Sequence, residues 1–196
     1  MNLPNKLTLS RLVLTLVFII VLFSQIPLGE TIALGLFIVA SLTDYFDGRI
    51  ARRNKLITNF GILMDPLADK ILICSAFITF VGLRQMPAWM VVVIVARELA
   101  ITGLRLLGAS KHVVLAAEGY GNHKTVSQVV AIICVLILMS YKEWGAPGQF
   151  IFGCSVYDKP WVDWVTLFAQ WLAVLLTFVS GTMYLWRNRH LYVQDL

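Results

Sequence analysis

Residues 44–52 read D-Y-F-D-G-R-I-A-R, and eight residues later the stretch 61–69 reads G-I-L-M-D-P-L-A-D. The two stretches carry four aspartates: Asp44, Asp47, Asp65 and Asp69. The chain around them is 59% hydrophobic and only 14% charged. One carboxylate at membrane depth costs roughly 2.5–3.5 kcal/mol, so four would cost on the order of 10 kcal/mol without a counter-charge. A bound divalent cation is the natural counter-charge.

The spacing of the aspartates also favours a metal site. Asp44 and Asp47 are three residues apart, and Asp65 and Asp69 are four apart, so each pair lies on one face of a helix. Carboxylate oxygens suit Mg²⁺ or Mn²⁺ and bridged phosphates, whereas zinc prefers His or Cys. The pattern predicts a phosphate ester as substrate. The alternative is a purely structural set of ion pairs with neighbouring cations: Arg49, Arg52, Arg53 and Lys70.

Composition and hydropathy indicate an all-α integral membrane protein. Six apolar stretches approach the roughly 20 residues that a membrane-spanning helix needs. They cover residues 12–26, 31–43, 71–83, 86–107, 126–141 and 161–186. We therefore predict six transmembrane helices in a single domain spanning residues 1–196.

The ends of these helices are also predicted. The second helix should begin near Thr31 and extend to Arg52 or Arg53, while the third should begin at Asp65-Pro66, because proline favours the first turn. An aspartate before that proline can cap the helix, so part of the role of Asp65 is structural. Residues 141–159 form the longest predicted loop.

Charged residues interrupt several apolar stretches after a similar run. Each of the runs 12–24, 31–43 and 71–83 contains thirteen uncharged residues and adjoins a charged residue at one end: Arg11, Asp44 and Lys70, respectively. Thirteen residues of helix rise about 20 Å, less than the roughly 30 Å hydrocarbon core, so these charges lie within the membrane. Charged groups from at least four helices should meet there in a polar active-site cavity near one interface.

The basic residues predict which interface this is. Three of the sixteen, Arg84, Lys142 and Lys159, fall on one side of the predicted topology, and the other thirteen fall on the aspartate side. The positive-inside rule then places the site at the cytoplasmic face of a bacterial-type membrane. Because the basic residues cluster at helix ends, we expect anionic membrane lipid, and no nucleic acid, as their partner.

The motif resembles the signature of the CDP-alcohol phosphatidyltransferases, D-x2-D-G-x2-A-R-x(7–9)-G-x3-D-x3-D. All of its fixed positions are met: Asp44, Asp47, Gly48, Ala51, Arg52, Gly61, Asp65 and Asp69. Eight fixed residues over twenty-six positions make a specific match. The resemblance extends over nearly the whole chain.

The resemblance implies two divalent cations, Mg²⁺ or Mn²⁺, held by the four aspartates, with Asp69 also the general base. It further implies that Asp47, Gly48, Ala51, Arg52 and Gly61 bind the CDP-linked lipid. Arg52 follows Asp44 by about two helical turns, where its guanidinium could hold a diphosphate oxygen. An aspartyl-phosphate intermediate is the alternative mechanism.

The outer motifs are similar to those of members that transfer the phosphatidyl group of CDP-diacylglycerol to glycerol 3-phosphate. The chain opens with N-K-L-T-L-S-R, and residues 96–105 read A-R-E-L-A-I-T-G-L-R. Arg105 and Lys124 are the predicted contacts to the acceptor phosphate, with Arg97 paired to a carboxylate such as Glu98. The family also implies a homodimer.

Two alternatives stay open. These family members usually read G-K-x-K-T where this chain has Asn122 two residues before Lys124, so inositol phosphate, serine or an amino alcohol is an alternative acceptor. A divalent-cation transporter is a more distant alternative, and it predicts carboxylates spread along the membrane normal. Here the acids crowd at one depth.

Overall fold

The computed structural model describes residues 3–54, 59–110 and 121–189, which are mostly helical. This part of the chain contains six long helices: α1 (Leu3–Phe23), α2 (Gly29–Asn54), α3 (Asn59–Gly82), α4 (Ala88–Ser110), α5 (Gly121–Ser140) and α7 (Trp161–Arg187). Between α5 and α7 lie a 3₁₀ turn (Tyr141–Trp144), the short helix α6 (Gly145–Phe152) and an antiparallel hairpin of β1 (Ser155–Val156) and β2 (Lys159–Pro160).

Each predicted apolar stretch falls on one of the long helices, so the prediction of a helical protein is confirmed. The predicted bounds of the second helix are also confirmed, since α2 starts two residues before Thr31 and ends one residue after Arg53. Among the described residues, the helical stretches Lys124–Phe152 and Trp161–Arg187 are long and apolar enough to cross a membrane.

The predicted start of the third helix was wrong. Helix α3 begins at Asn59, six residues before Asp65, and Pro66 therefore lies inside it. Proline lacks the N–H that would bond to the carbonyl of Ile62 four residues earlier. Helices of membrane proteins tolerate such an interruption when neighbouring groups satisfy the freed carbonyl.

The predicted loop 141–159 was only partly correct, because most of it is structured. The 3₁₀ turn brings Glu143 to the first turn of α2, where its carboxylate accepts bonds from the backbone N–H of Thr31 at 2.9 Å and from that residue's hydroxyl at 2.6 Å. The indole N–H of Trp144 also donates to the Thr31 hydroxyl at 2.8 Å. A carboxylate stabilises a helix start by satisfying N–H groups that lack a partner within the helix.

The packed interior is apolar, and so is much of the outer surface. Phe18, Phe37, Phe77 and Phe80 are fully buried between α1, α2 and α3. Large apolar side chains also point outward on all of α1, α2, α4, α5 and α7, for example Phe168, which is 68% exposed. A water-soluble monomer rarely exposes so much contiguous apolar surface, whereas a helix bundle in lipid does.

The bundle has two ends. We call the one where α2 leads to α3 and α4 leads to α5 the aspartate end, and the other the far end. The first turn of α2 contacts Glu143 at the far end. Also at that end, the side-chain amide of Gln170 on α7 donates to the carbonyl of Gln85, between α3 and α4, at 3.0 Å. These bonds link the α5–α7 connection to α2 and the α3–α4 connection to α7.

Candidate active site

The helices place the four aspartates at one end of the bundle. Asp44 and Asp47 belong to the last part of α2, and Asp65 and Asp69 belong to the first part of α3. Five Cα–Cα steps of at most 3.8 Å separate the end of α2 from the start of α3, so the two helix ends are close. Both helices pack against α1 and against α5.

The side chains of these aspartates lie outside the described part of the structure, as do those of Gly48, Ala51, Arg52 and Gly61. Among the described side chains, no three His, Cys, Asp or Glu groups come together to hold a metal ion. The metal site and the contacts to the CDP-linked lipid therefore stay predictions. The chemistry of the donor set fits a hard divalent cation, because it offers carboxylate oxygens only.

A described group of charged and polar side chains lies in the half of the bundle that includes the aspartate end. Its centre is Glu98 on α4, which is only 6% exposed. The ammonium of Lys124, in the first turn of α5, donates to Glu98 Oε1. The amide of Gln128, one turn further on, lies 3.4 Å from the same oxygen and donates to the hydroxyl of Thr177 on α7 at 3.0 Å.

Arg97 extends this group across the interface between α4 and α7. Its Nη1 lies 3.4 Å from Glu98 Oε1, and its Nη2 lies 3.4 Å from the hydroxyl of Ser180. The predicted pairing of Arg97 with Glu98 is confirmed. A Cβ built on Gly181 would lie 2.6 Å from Cγ of Arg97, so glycine at this position makes room for the arginine stem. We call Arg97, Glu98, Lys124, Gln128, Thr177 and Ser180 the Glu98 cluster.

A further contact connects the Glu98 cluster to the helix that carries Asp65 and Asp69. The ammonium of Lys70, the residue after Asp69, donates to the hydroxyl of Thr102 on α4. That hydroxyl in turn donates to the backbone carbonyl of Glu98 at 2.7 Å. This contact holds the middle of α3 against α4, one turn beyond Glu98.

Positive charge exceeds negative charge among these described groups. Lys70, Arg97 and Lys124 contribute three cations, and Glu98 contributes one carboxylate. Arg105 lies two turns beyond Glu98 on α4, is exposed, and has its guanidinium 5.9 Å from the centre of the Tyr184 ring. A partly desolvated surplus of cations favours binding of a small anion.

The two predicted acceptor contacts differ in their surroundings. Lys124 is buried at 5% exposure and already paired with Glu98, whereas Arg105 is exposed. The structure brings Lys124 into the Glu98 cluster and leaves Arg105 at its edge. The side chains of Asn122 and His123 lie outside the described residues.

The contributions of Gln128, Thr177 and Ser180 to this cluster were not predicted from the sequence. The spacing offered a partial signal, because Gln128 follows Lys124 by four residues and therefore shares its helical face. Nothing in the sequence indicated which polar residues of α7 would face α4 and α5.

The far end contains a cavity of about 200 Å³, lined in part by Gln85, Asp163, Thr166 and Gln170. Thr166 and Thr177 are eleven residues apart on α7, a rise of about 16 Å. None of the predicted site residues lines this cavity. Its position does not support a role in the predicted chemistry.

Comparison with known proteins gives a consistent result. A sequence model described as CDP-alcohol phosphatidyltransferase matches residues 1–179. A Bacillus subtilis (strain 168) protein named CDP-diacylglycerol--glycerol-3-phosphate 3-phosphatidyltransferase is 39% identical over 199 aligned residues, covering 95% of each chain. A Rickettsia bellii (strain RML369-C) protein of the same name is 33% identical over 183 residues, covering 93% of each.

A third relative covers less of the chain. A Mycobacterium tuberculosis (strain CDC 1551 / Oshkosh) protein named probable phosphatidylglycerophosphate synthase is 43% identical over 134 residues, or 67% of this chain and 64% of that protein. The match to the first two relatives is nearly end to end. The aligned region therefore spans the positions of the aspartate motif and of the Glu98 cluster.

Proposed function

The chain belongs to the CDP-alcohol phosphatidyltransferase family, and from that premise we propose how its residues carry out the reaction. It transfers the phosphatidyl group of CDP-diacylglycerol to glycerol 3-phosphate, giving phosphatidylglycerophosphate and CMP. A hydroxyl oxygen of glycerol 3-phosphate attacks the phosphorus that carries diacylglycerol. The bond from that phosphorus to the CMP oxygen breaks, and the hydroxyl proton must be accepted by a base.

Asp44, Asp47, Asp65 and Asp69 are the proposed metal ligands, and the family is generally dependent on divalent metal. We propose two ions, Mg²⁺ or Mn²⁺. When bound, such ions polarise the diphosphate and offset the charge that develops on the leaving CMP. The position of the four aspartates on two helices joined by a short connection supports this assignment, because their carboxylates need a counter-charge at membrane depth.

Asp69 is the proposed general base. It would accept the proton of the attacking hydroxyl, since a carboxylate within hydrogen-bond reach can serve that role. The anchoring of Lys70 on Thr102 supports the proposal, because it holds the adjacent turn of α3 against α4. Arg52, Gly48, Ala51 and Gly61 are the proposed contacts to the CDP portion.

Lys124 and Arg105 are the proposed contacts to the phosphate of the acceptor. The observation that carries this proposal is the surplus of cations around Glu98, at the end of the bundle where the aspartates lie. A neutral acceptor would not require such a surplus. This favours glycerol 3-phosphate over serine or an amino alcohol, and the names of the relatives agree with it.

The chain is a membrane protein with apolar helices. We propose that all six long helices span the membrane as one domain, with a polar cavity at the aspartate end that faces the cytoplasm. The thirteen of sixteen basic residues assigned to that side support the orientation. A homodimer is proposed from family membership alone.

Transfer by purified protein tests the proposal. Detergent-purified protein is given CDP-diacylglycerol and Mg²⁺ or Mn²⁺, with radiolabelled glycerol 3-phosphate, inositol phosphate or serine in separate reactions. Label in lipid from glycerol 3-phosphate, with matching CMP release and loss of both on chelation, is the expected result. Label from another acceptor would reassign the acceptor site, and metal uptake into vesicles without CMP release would favour the transporter alternative.

A further inference from the structure

Glu98 has a position that the transfer reaction does not by itself explain. It lies in the middle of α4, buried, and one of its oxygens is approached by donors from Arg97, Lys124 and Gln128. Helix α4 packs against α3 and α7, whereas α5 packs against α2, α3 and α7. The bonds to Glu98 connect α4 with the first two turns of α5.

The carboxylate is itself held in place. Gln128 is 1% exposed, and its amide bonds to Thr177 on α7 as well as lying near Glu98. On the other side, Arg97 bonds to Ser180, and its stem passes close over Gly181, which has no side chain. A carboxylate whose partners Gln128 and Arg97 are themselves bonded to α7 has little freedom to move.

Lys124, in contrast, has a flexible side chain that needs such a fixed partner. A lysine stem has four rotatable carbons, and its ammonium carries three N–H donors. The ammonium can therefore bond to Glu98 and to a phosphate oxygen at the same time. Glu98 reduces the number of positions that the ammonium occupies before the phosphate arrives.

We propose that Glu98 is a positioning residue for the acceptor: it holds the Lys124 ammonium where the phosphate of glycerol 3-phosphate binds, and so sets the affinity for that substrate. This inference rests on the proposed assignment of Lys124 to the acceptor phosphate. Glu98 touches neither the reacting phosphorus nor the attacking hydroxyl in this account. Its effect therefore falls on acceptor binding and not on the chemical step.

The charge balance distinguishes this role from that of a structural ion pair. A pair that served packing alone would be neutral, whereas Glu98 is approached by two cations, with a third on Thr102 one turn away. Removal of this carboxylate would take from Lys124 and Arg97 the acid that they contact, and breaking such a pair is strongly destabilising. The test therefore needs a variant that keeps the charge and changes only its position.

Glu98→Asp is that variant, because it withdraws the carboxylate by one methylene, about 1.5 Å, while keeping the charge. The full-length protein in detergent is assayed for transfer from CDP-diacylglycerol to glycerol 3-phosphate, with thermal unfolding followed in parallel. Lys124→Ala and the double variant complete a cycle, and Glu98→Gln tests the loss of charge. Glu143→Asp is the matched control, since it shortens another interhelical glutamate at the far end.

We expect Glu98→Asp to raise the KM for glycerol 3-phosphate about tenfold, with kcat within about threefold of the parent and the KM for CDP-diacylglycerol unchanged. Lys124→Ala should raise the same KM, and adding Glu98→Asp to it should produce little further change, because residues that act through one another are not additive. Glu143→Asp should leave the KM unchanged.

Three results would overturn the inference. An unchanged acceptor KM in Glu98→Asp would exclude positioning, even if Lys124→Ala still raised it and the proposed acceptor site stood. If the increases in acceptor KM of the two single variants multiplied in the double variant, Glu98 would act independently of Lys124. An unchanged KM in Lys124→Ala would instead remove the acceptor assignment itself, and this inference with it.

Discussion

Two glutamates join helices at opposite ends of this bundle, and they differ in what they bond to. Among the described residues, the donors to Glu143 are neutral: the backbone N–H groups of Glu30 and Thr31 and the Thr31 hydroxyl. Glu98 is approached by Lys124 and Arg97, which are cations. The first arrangement caps the start of α2, while the second places two cations beside one carboxylate among the described side chains.

The difference separates stability from substrate binding. A carboxylate at a helix start is satisfied by backbone donors and by the helix dipole, so its interactions stabilise the folded chain. A carboxylate that only partly neutralises a set of buried cations leaves them able to attract an anion. We therefore expect changes at the far end to affect unfolding, and changes at the aspartate end to affect transfer.

The largest expected effect concerns Asp69. Asp69→Asn removes the proposed base and one metal ligand, so transfer should fall by about two to four orders of magnitude. Binding of CDP-diacylglycerol should persist. The measurement is CMP release together with equilibrium binding of the CDP-lipid.

Asp163→Asn is the control for this change, because Asp163 lines the far-end cavity. It should retain full transfer. Equal loss of CDP-lipid binding and turnover in Asp69→Asn would contradict the assignment of Asp69 as base.

The next effect concerns the edge of the Glu98 cluster. Arg105→Ala should raise the KM for glycerol 3-phosphate about tenfold, because it removes a charge-assisted contact to phosphate, and Arg105→Lys should restore part of it. Steady-state transfer at varied acceptor concentration measures the change. Arg84→Ala is the control, because it removes the same charge from an exposed position at the far end. An increase in KM as large as that of Arg105→Ala would show that the overall charge of the protein, and not a contact at Arg105, determines acceptor affinity.

A smaller effect is expected at Gly181, where α7 crosses the stem of Arg97. In Gly181→Ala the new methyl would lie 2.6 Å from Arg97 Cγ, so the arginine must shift away from Ser180 and Glu98. Overpacking of this kind costs about 1–3 kcal/mol. We expect lower thermal stability and several-fold slower transfer at low acceptor concentration.

Gly35→Ala is the matched control, because a Cβ at Gly35 meets no atom within 4 Å. Replacing a helical glycine in open space should stabilise the protein by about 0.5–1 kcal/mol. If the two alanine variants behaved alike, the close approach of Arg97 to α7 would not matter for function.

The smallest effect on activity is expected at the far end. Glu143→Asp shortens the cap of α2 and should lower stability by about 1 kcal/mol, or about 2–4 °C in Tm for a chain of this size. Transfer should be unchanged at every acceptor concentration. A raised acceptor KM in this variant would show that the two ends are coupled, and the comparison between the two glutamates would fail.

The sequence predicted the helices well and their mutual orientation poorly. Apolar length is a local property, so the six stretches identified the six long helices of the described chain. The start of α3 was misplaced because Pro66 suggested a first turn, whereas the helix continues through it from Asn59. A helix interior that holds proline depends on neighbouring groups that the sequence alone does not reveal.

The candidate site likewise contains features that could be predicted from the sequence and features that could not. The aspartate frame could be found because its residues share one continuous segment, and the bond between Arg97 and Glu98 could be expected because they are adjacent. The contacts of Glu98 with Lys124 and of Gln128 with Thr177 join residues 26 and 49 positions apart. Such contacts depend on the rotation of each helix about its axis, which a set of apolar stretches does not determine.

The most direct test of the account is the acceptor dependence of transfer in Glu98→Asp and Glu143→Asp, measured beside the parent protein with CDP-diacylglycerol held at saturation. We expect the curves of the parent and Glu143→Asp to coincide, and that of Glu98→Asp to shift to about tenfold higher glycerol 3-phosphate and reach a similar maximum. Three coincident curves, or an equal shift in both variants, would contradict the claim that the aspartate end alone positions the acceptor.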